Sequence, residues 1–129
     1  MENDFLCPKC SSYLNIGNKI VFSIQVKSSQ KGLLLLDKEL GNYEVKTQEQ
    51  IQYEKGELLG FFCPMCHNNL VSEIHINLAK ILMIDEEKNK YEVLFSRIYG
   101  EEATYKLNNL TIESFGCNKE KYIHLLKTK

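Results

Sequence analysis

Four of the five cysteines fall into two short segments of the same form, Phe5-Leu6-Cys7-Pro8-Lys9-Cys10 and Phe61-Phe62-Cys63-Pro64-Met65-Cys66. The match runs on: Leu14 follows the first pair at the distance at which Leu70 follows the second, and both prolines of the chain lie within these segments. A Cys-Pro-x-Cys turn presents two sulfurs on one side of a tight reversal, because proline fixes φ at its first corner. Two such turns offer four thiolates to one ion. Zinc suits that set, being borderline soft and content with four sulfurs in a tetrahedron. Cys7, Cys10, Cys63 and Cys66 are therefore expected to ligate one Zn²⁺ per chain. Phe5 and Phe61 would shield the cluster, and Leu14 and Leu70 would pack beneath it. Turn amides, with Lys9, would moderate the negative charge of the four thiolates.

The two segments resemble the knuckles of a zinc ribbon, and more distantly those of a rubredoxin. The resemblance covers the knuckles alone. A usual ribbon has a shorter stretch between them, whereas 52 residues (63 − 10 − 1) separate Cys10 from Cys63 here. A ribbon bearing a β insertion is the expectation. Zinc ribbons serve as structural or docking pieces in transcription factors, polymerase subunits, ribosomal proteins and enzymes, so the resemblance implies a metal but no activity. Rubredoxin knuckles carry glycine after the second cysteine. Ser11 and His67 stand there in this chain, which favours zinc over iron electron transfer.

Other candidates are weaker. His67 adjoins Cys66 and is read as solvent-facing; His75 and His124 lack an acid or thiol at motif spacing. Cys117 stands alone beside a predicted helix start, where amides lower a thiol pKa, but it is read as a half-buried small residue. The acidic runs at Asp85-Glu86-Glu87 and Glu101-Glu102 read as solvated turn tips. Tyr91 and Tyr105 could stack on single-stranded nucleic acid; packing in the core or at its rim is the preferred reading. The chain has no Gly-rich phosphate loop, GxSxG, HExxH or paired-carboxylate motif. A closed four-cysteine shell leaves no open position for water. No catalytic residue and no enzymatic activity are expected.

Composition narrows the partners. Residues 1–66 carry seven Lys and eight acids; residues 67–129 carry eight Lys, one Arg and nine acids, for a net charge of −1. Proteins built to grip phosphate backbones show more basic charge. A protein partner is therefore favoured over nucleic acid, with no membrane partner. The acidic start, Met1-Glu2-Asn3-Asp4, does not read as a signal peptide. Free thiolates suit a reducing compartment, so the cytoplasm is expected.

The elements that must position the cysteines read as strands. Ile20, Phe22, Ile24 and Val26 alternate with polar residues, the pattern of a half-buried strand. Further strands are predicted at Leu33 to Leu36, Tyr43 to Thr47, Ile51 to Tyr53, Tyr91 to Phe95, Ala103 to Leu107 and Leu110 to Ile112, while residues 58–62 lead into the second knuckle. Ile74 to Ile84 reads as a helix or a strand, and its β-branched residues with the turn that follows favour a strand over 78–84. Their short connections require a mostly antiparallel β architecture. Asn118 is the predicted N-cap of one short C-terminal helix. The chain divides as a single domain over 1–129: the ribbon from 1–16 and 58–73, the β insertion 17–57, a β-meander 74–116 and the helix 118–127. The knuckle pair is the only repeat visible in the sequence.

Overall fold

A computed structural model describes residues 3–127. It is mostly antiparallel β, in two five-stranded sheets with a short C-terminal helix. In chain order the strands are β1 (Asp4–Leu6), β2 (Asn15–Ile16), β3 (Lys19–Gln25), β4 (Lys31–Asp37) and β5 (Val45–Thr47), then β6 (Gly60–Phe62), β7 (Leu78–Ile84), β8 (Lys90–Ser96), β9 (Thr104–Leu107) and β10 (Ile112–Phe115). A 3-10 turn (Lys119–Lys121) and α1 (Ile123–Lys127) follow. One sheet has the order β1-β7-β8-β9-β10. The other has β2-β3-β4-β5, with β6 also paired to β3.

The molecule is built from two copies of one unit, each a knuckle followed by a three-stranded meander. Positions in the second meander follow those in the first by 59 residues, as 83 − 24 for Ile24 and Met83. The pair Phe22–Leu34 across β3 and β4 recurs as Ile81–Val93 across β7 and β8. The pair Leu34–Thr47 across β4 and β5 recurs as Val93–Lys106 across β8 and β9. The hairpin tips match, with left-handed Ser29 (φ 74°) and Lys88 (φ 69°) at one position. The second turns match as well: Gly41 and Gly100 have φ of 95° and 90°, a region where L side chains are strained. Even the link into each unit agrees, with Lys38 N–H donating to the Asn18 carbonyl and Arg97 N–H to that of Asn77.

Each unit lends its leading strand to the other. β1, ahead of the first knuckle, pairs with β7 of the second unit; β6, ahead of the second knuckle, pairs with β3 of the first. Contact i–j is thus mirrored by contact j–i, the reciprocity of a two-fold interface. The inner faces of the sheets share one apolar cluster that includes Phe5, Phe22, Ile24, Phe61, Ile81, Met83 and Phe95. Phe22, Phe61 and Phe95 form a ring triad with centroids 5.2–5.3 Å apart, in edge-to-face or tilted contact.

Several sequence expectations change in detail. Ile51 and Tyr53 form no strand. Ile51 instead packs into the space above Gly32, and Tyr53 meets Tyr99 edge-on at 4.6 Å. The last strand starts at Ile112, leaving Leu110 90% exposed. Asn118 makes no side-chain cap to the helical turn; its Oδ1 accepts the Glu102 N–H instead. Tyr105 is fully buried, and Tyr91 lies under the Lys106 ammonium at 4.4 Å, so neither ring offers a free stacking face.

Candidate metal centre

Both knuckles are built alike. In the first, Cys7 N–H donates to the Ser12 carbonyl and Ser11 N–H to that of Cys7; in the second, Cys63 N–H donates to Asn68 and His67 N–H to Cys63. Each turn ends in a left-handed residue, Ser11 at φ 64° and His67 at φ 65°. Glycine adopts this backbone freely, so a side chain at either position holds it at some steric cost. Leu14 and Leu70 then return to donate to the Phe5 and Phe61 carbonyls, and both leucines are 1% exposed. Phe5 and Phe61 are buried as well, as expected of residues covering a cluster.

The reciprocal strand exchange brings the two knuckles together. The Sγ atoms of Cys7, Cys10, Cys63 and Cys66 all lie within 4.8 Å of one another. Cys7 and Cys66 are 3.8 Å apart, and the matching pair Cys10 and Cys63 is 3.7 Å apart. A tetrahedron of sulfurs at about 2.3 Å from a central Zn²⁺ has edges of about 3.8 Å, so the donor set fits one tetrahedral metal. The same tetrahedron suits iron. The sulfurs are also supported from outside. Lys9 N–H donates to Cys7 Sγ, Met65 and Cys66 N–H to Cys63 Sγ, and the Asn68 amide to Cys66 Sγ, at 3.3–3.4 Å. Such donors stabilise thiolate charge at a metal.

The four thiols divide into an inner and an outer pair, one of each per unit. Cys7 and Cys63 are fully buried, Cys66 is partly covered and Cys10 is exposed. Burial pushes the Cys7 thiol up to about 12 and raises that of Cys63. The Ser12 hydroxyl and amide lower Cys10 to about 6, and the Asn68 amides lower Cys66. The outer pair is thus the more readily ionised, and the thiols that remain protonated release their protons on binding a cation.

The remaining sequence candidates stay apart from this cluster. His67 is exposed. His75 accepts the Asn77 N–H and stacks edge-on to Tyr122 at 5.1 Å. His124 is exposed on α1. Cys117 is exposed rather than half-buried, and a contact with Glu102 raises its pKa. The Asp85 carboxylate accepts the amides of Glu87 and Asn89 and so orders its own turn.

Two polar residues at the stem of the second unit were missed. Arg97 is 9% exposed; its Nε donates to the Leu59 carbonyl at 2.9 Å and its Nη1 to that of Ile76 at 2.6 Å. It thereby ties the segment entering the second knuckle to the segment leaving it. Being the only arginine was its sole mark in the sequence. Glu101 is no solvated turn tip. Its carboxylate, 9% exposed, accepts from Ser96 Oγ and Tyr122 OH at 2.7 Å and pairs with Lys121 at 2.7 Å.

Among the described residues, no helix is long and apolar enough to cross a membrane. Comparison of the chain with protein-family models, with curated proteins and with solved structures finds no match.

Proposed function

We propose that the four cysteines hold one zinc ion as a structural cross-link between the two units, and that the protein acts as a non-enzymatic module that binds another protein. One observation carries the metal reading: four sulfurs converge at tetrahedral spacing from two separately built turns. Zinc is preferred to iron because a redox-inert ion suits a site whose role is to hold two halves together. With all four positions filled by sulfur, the ion has no place for a water nucleophile. A reducing compartment, the cytoplasm in this reading, keeps the thiolates available.

The protein-binding part rests on the exposed side of the knuckles. Tyr13 is 62% exposed and Met65 67% exposed, side chains that commonly anchor protein contacts. Nucleic acid is less suited, because Arg97 is committed to backbone carbonyls in the interior. The test has two arms. Metal analysis of the purified protein is expected to give one zinc per chain, and protein without bound metal overturns the cross-link. Capture from native lysate with the wild type and with Tyr13→Ser/Met65→Ser is expected to lose a specific partner in the variant. Salt-sensitive retention on DNA or RNA instead would favour the nucleic-acid alternative.

A further inference from the structure

The inner faces of the two sheets do not close on each other everywhere. Between the turn joining β4 to β5 and the turn joining β8 to β9 lies a cavity of about 90 Å³. Its walls come in matched pairs from the two units: Leu34 and Val93, Leu36 and Phe95, Leu40 and Tyr99. Protein interiors pack as densely as organic crystals and keep few voids larger than a water molecule. Water is a poor filler here, since each buried water needs two to four polar partners, and this wall is aliphatic and aromatic.

The polar groups at the cavity are already engaged. Tyr43 OH contacts Thr104 Oγ1 at 2.8 Å and donates to the Phe115 carbonyl at 3.2 Å. Asp37 is paired with Lys19, and Glu101 with Lys121. Arg97 borders the cavity, but its Nε and Nη1 donate to the Leu59 and Ile76 carbonyls. What remains on offer is apolar contact behind a rim that carries Asp37, Glu39 and Glu101.

The geometry points to a binding site for a small uncharged apolar compound, a single aromatic ring or a short alkyl chain, entering between the two matched turns. An apolar cavity of about 150 Å³ stays dry and takes up benzene; one of about 90 Å³ limits the guest to a single ring or a short chain. An anionic end group would lose its hydration against this wall without gaining a free donor, which selects against it.

The test is a titration of the protein as purified with benzene, followed by methyl NMR and thermal melting. Saturable shifts are expected at the methyls of Leu34, Leu36 and Val93, with a rise in Tm that follows benzene concentration. Benzoate should bind more weakly. Leu34→Phe fills the void from one wall and should abolish saturable binding; should that variant fail to fold, Val93→Leu should weaken it. No saturable shift up to the solubility of benzene, shifts confined to residues outside the cavity, or unchanged binding in a folded Leu34→Phe variant would each overturn the assignment.

Discussion

Leu35 and Leu94 occupy the same place in the two units and meet different surroundings. Leu94 is fully buried under the C-terminal segment, in a cluster with Leu78, Ala103, Tyr105, Leu107, Tyr122 and Leu126. Leu35 is only partly covered, and its neighbours on that face are the counterparts of those cluster residues: Lys19, Glu44, Lys46 and Gln48. The units agree on their inner faces, where each must pack against the other. They differ on their outer faces, where one is roofed by the C-terminal segment from the 3-10 turn to α1 and the other meets solvent. Packing demand thus fixes side-chain type position by position, while the shared backbone fixes only register. The clamp at the second stem follows the same division: Arg97 ties two backbone segments, and its counterpart is Lys38.

The largest effect expected is one in which the two units behave alike. A structural zinc site contributes about 10–16 kcal/mol of apparent binding free energy, against a whole-domain stability of about 5–15 kcal/mol. Cys63→Ser should therefore lose the metal, lower the melting temperature strongly and expose the N-terminal knuckle to protease. Cys7→Ser, its counterpart, should do the same to a similar degree. A variant of either kind that melts as the wild type does would break the cross-link account.

The next effect should separate the units. Leu94→Ala removes a fully buried side chain and should cost about 2–5 kcal/mol. Leu35→Ala, the same substitution at the matching position, should cost about 1 kcal/mol or less. Chemical denaturation of both variants measures the contrast; equal costs would mean that the outer faces are not differently covered.

Acid should loosen the C-terminal segment of the roofed unit. Burial pushes the Glu101 carboxyl up, but hydrogen bonds from Lys121, Ser96 and Tyr122, with the Lys121 charge, outweigh it and hold the pKa below the ordinary value. A depressed carboxyl contributes stability that is complete above the unfolded value, about 4.3, and is lost as pH falls through the folded value. The C-terminal helix should therefore loosen at acid pH below about 4, and Glu101→Gln should flatten that dependence. Amide exchange of residues 119–126 across pH reads it directly, and a Glu101→Gln profile identical to wild type would remove Glu101 as the latch.

The smallest effect should again be shared. Ser11 and His67 hold left-handed backbone that glycine adopts freely. Replacing either by glycine relieves strain of about 1–2 kcal/mol and adds about 0.5–1 kcal/mol of chain entropy cost. Each substitution should stabilise by about 0.5–1 kcal/mol, alike in the two knuckles.

Much of this was legible in the chain. Alternation picked out β3 and β8, since each has one face in the shared core; β-branched residues favoured a strand over a helix at β7; and the cysteine spacing picked out the four thiols that cluster. The duplication of the meanders was not legible. Counterparts such as Ile24 and Met83 or Phe22 and Ile81 share burial but not side-chain type, and three added residues before β7 shift the offset from 56 (61 − 5) in the knuckles to 59 (83 − 24) beyond them. Thiolate geometry allows few substitutions, whereas a core position accepts any apolar side chain of suitable volume. Glu101 looked like a turn tip because its partners Ser96, Lys121 and Tyr122 meet it only in three dimensions.

X-ray absorption at the metal edge, with elemental analysis of the purified protein, tests the joint between the units most directly. The account predicts one zinc per chain with four sulfurs at about 2.3 Å. A shell containing nitrogen or oxygen, two metals per chain or none would contradict it.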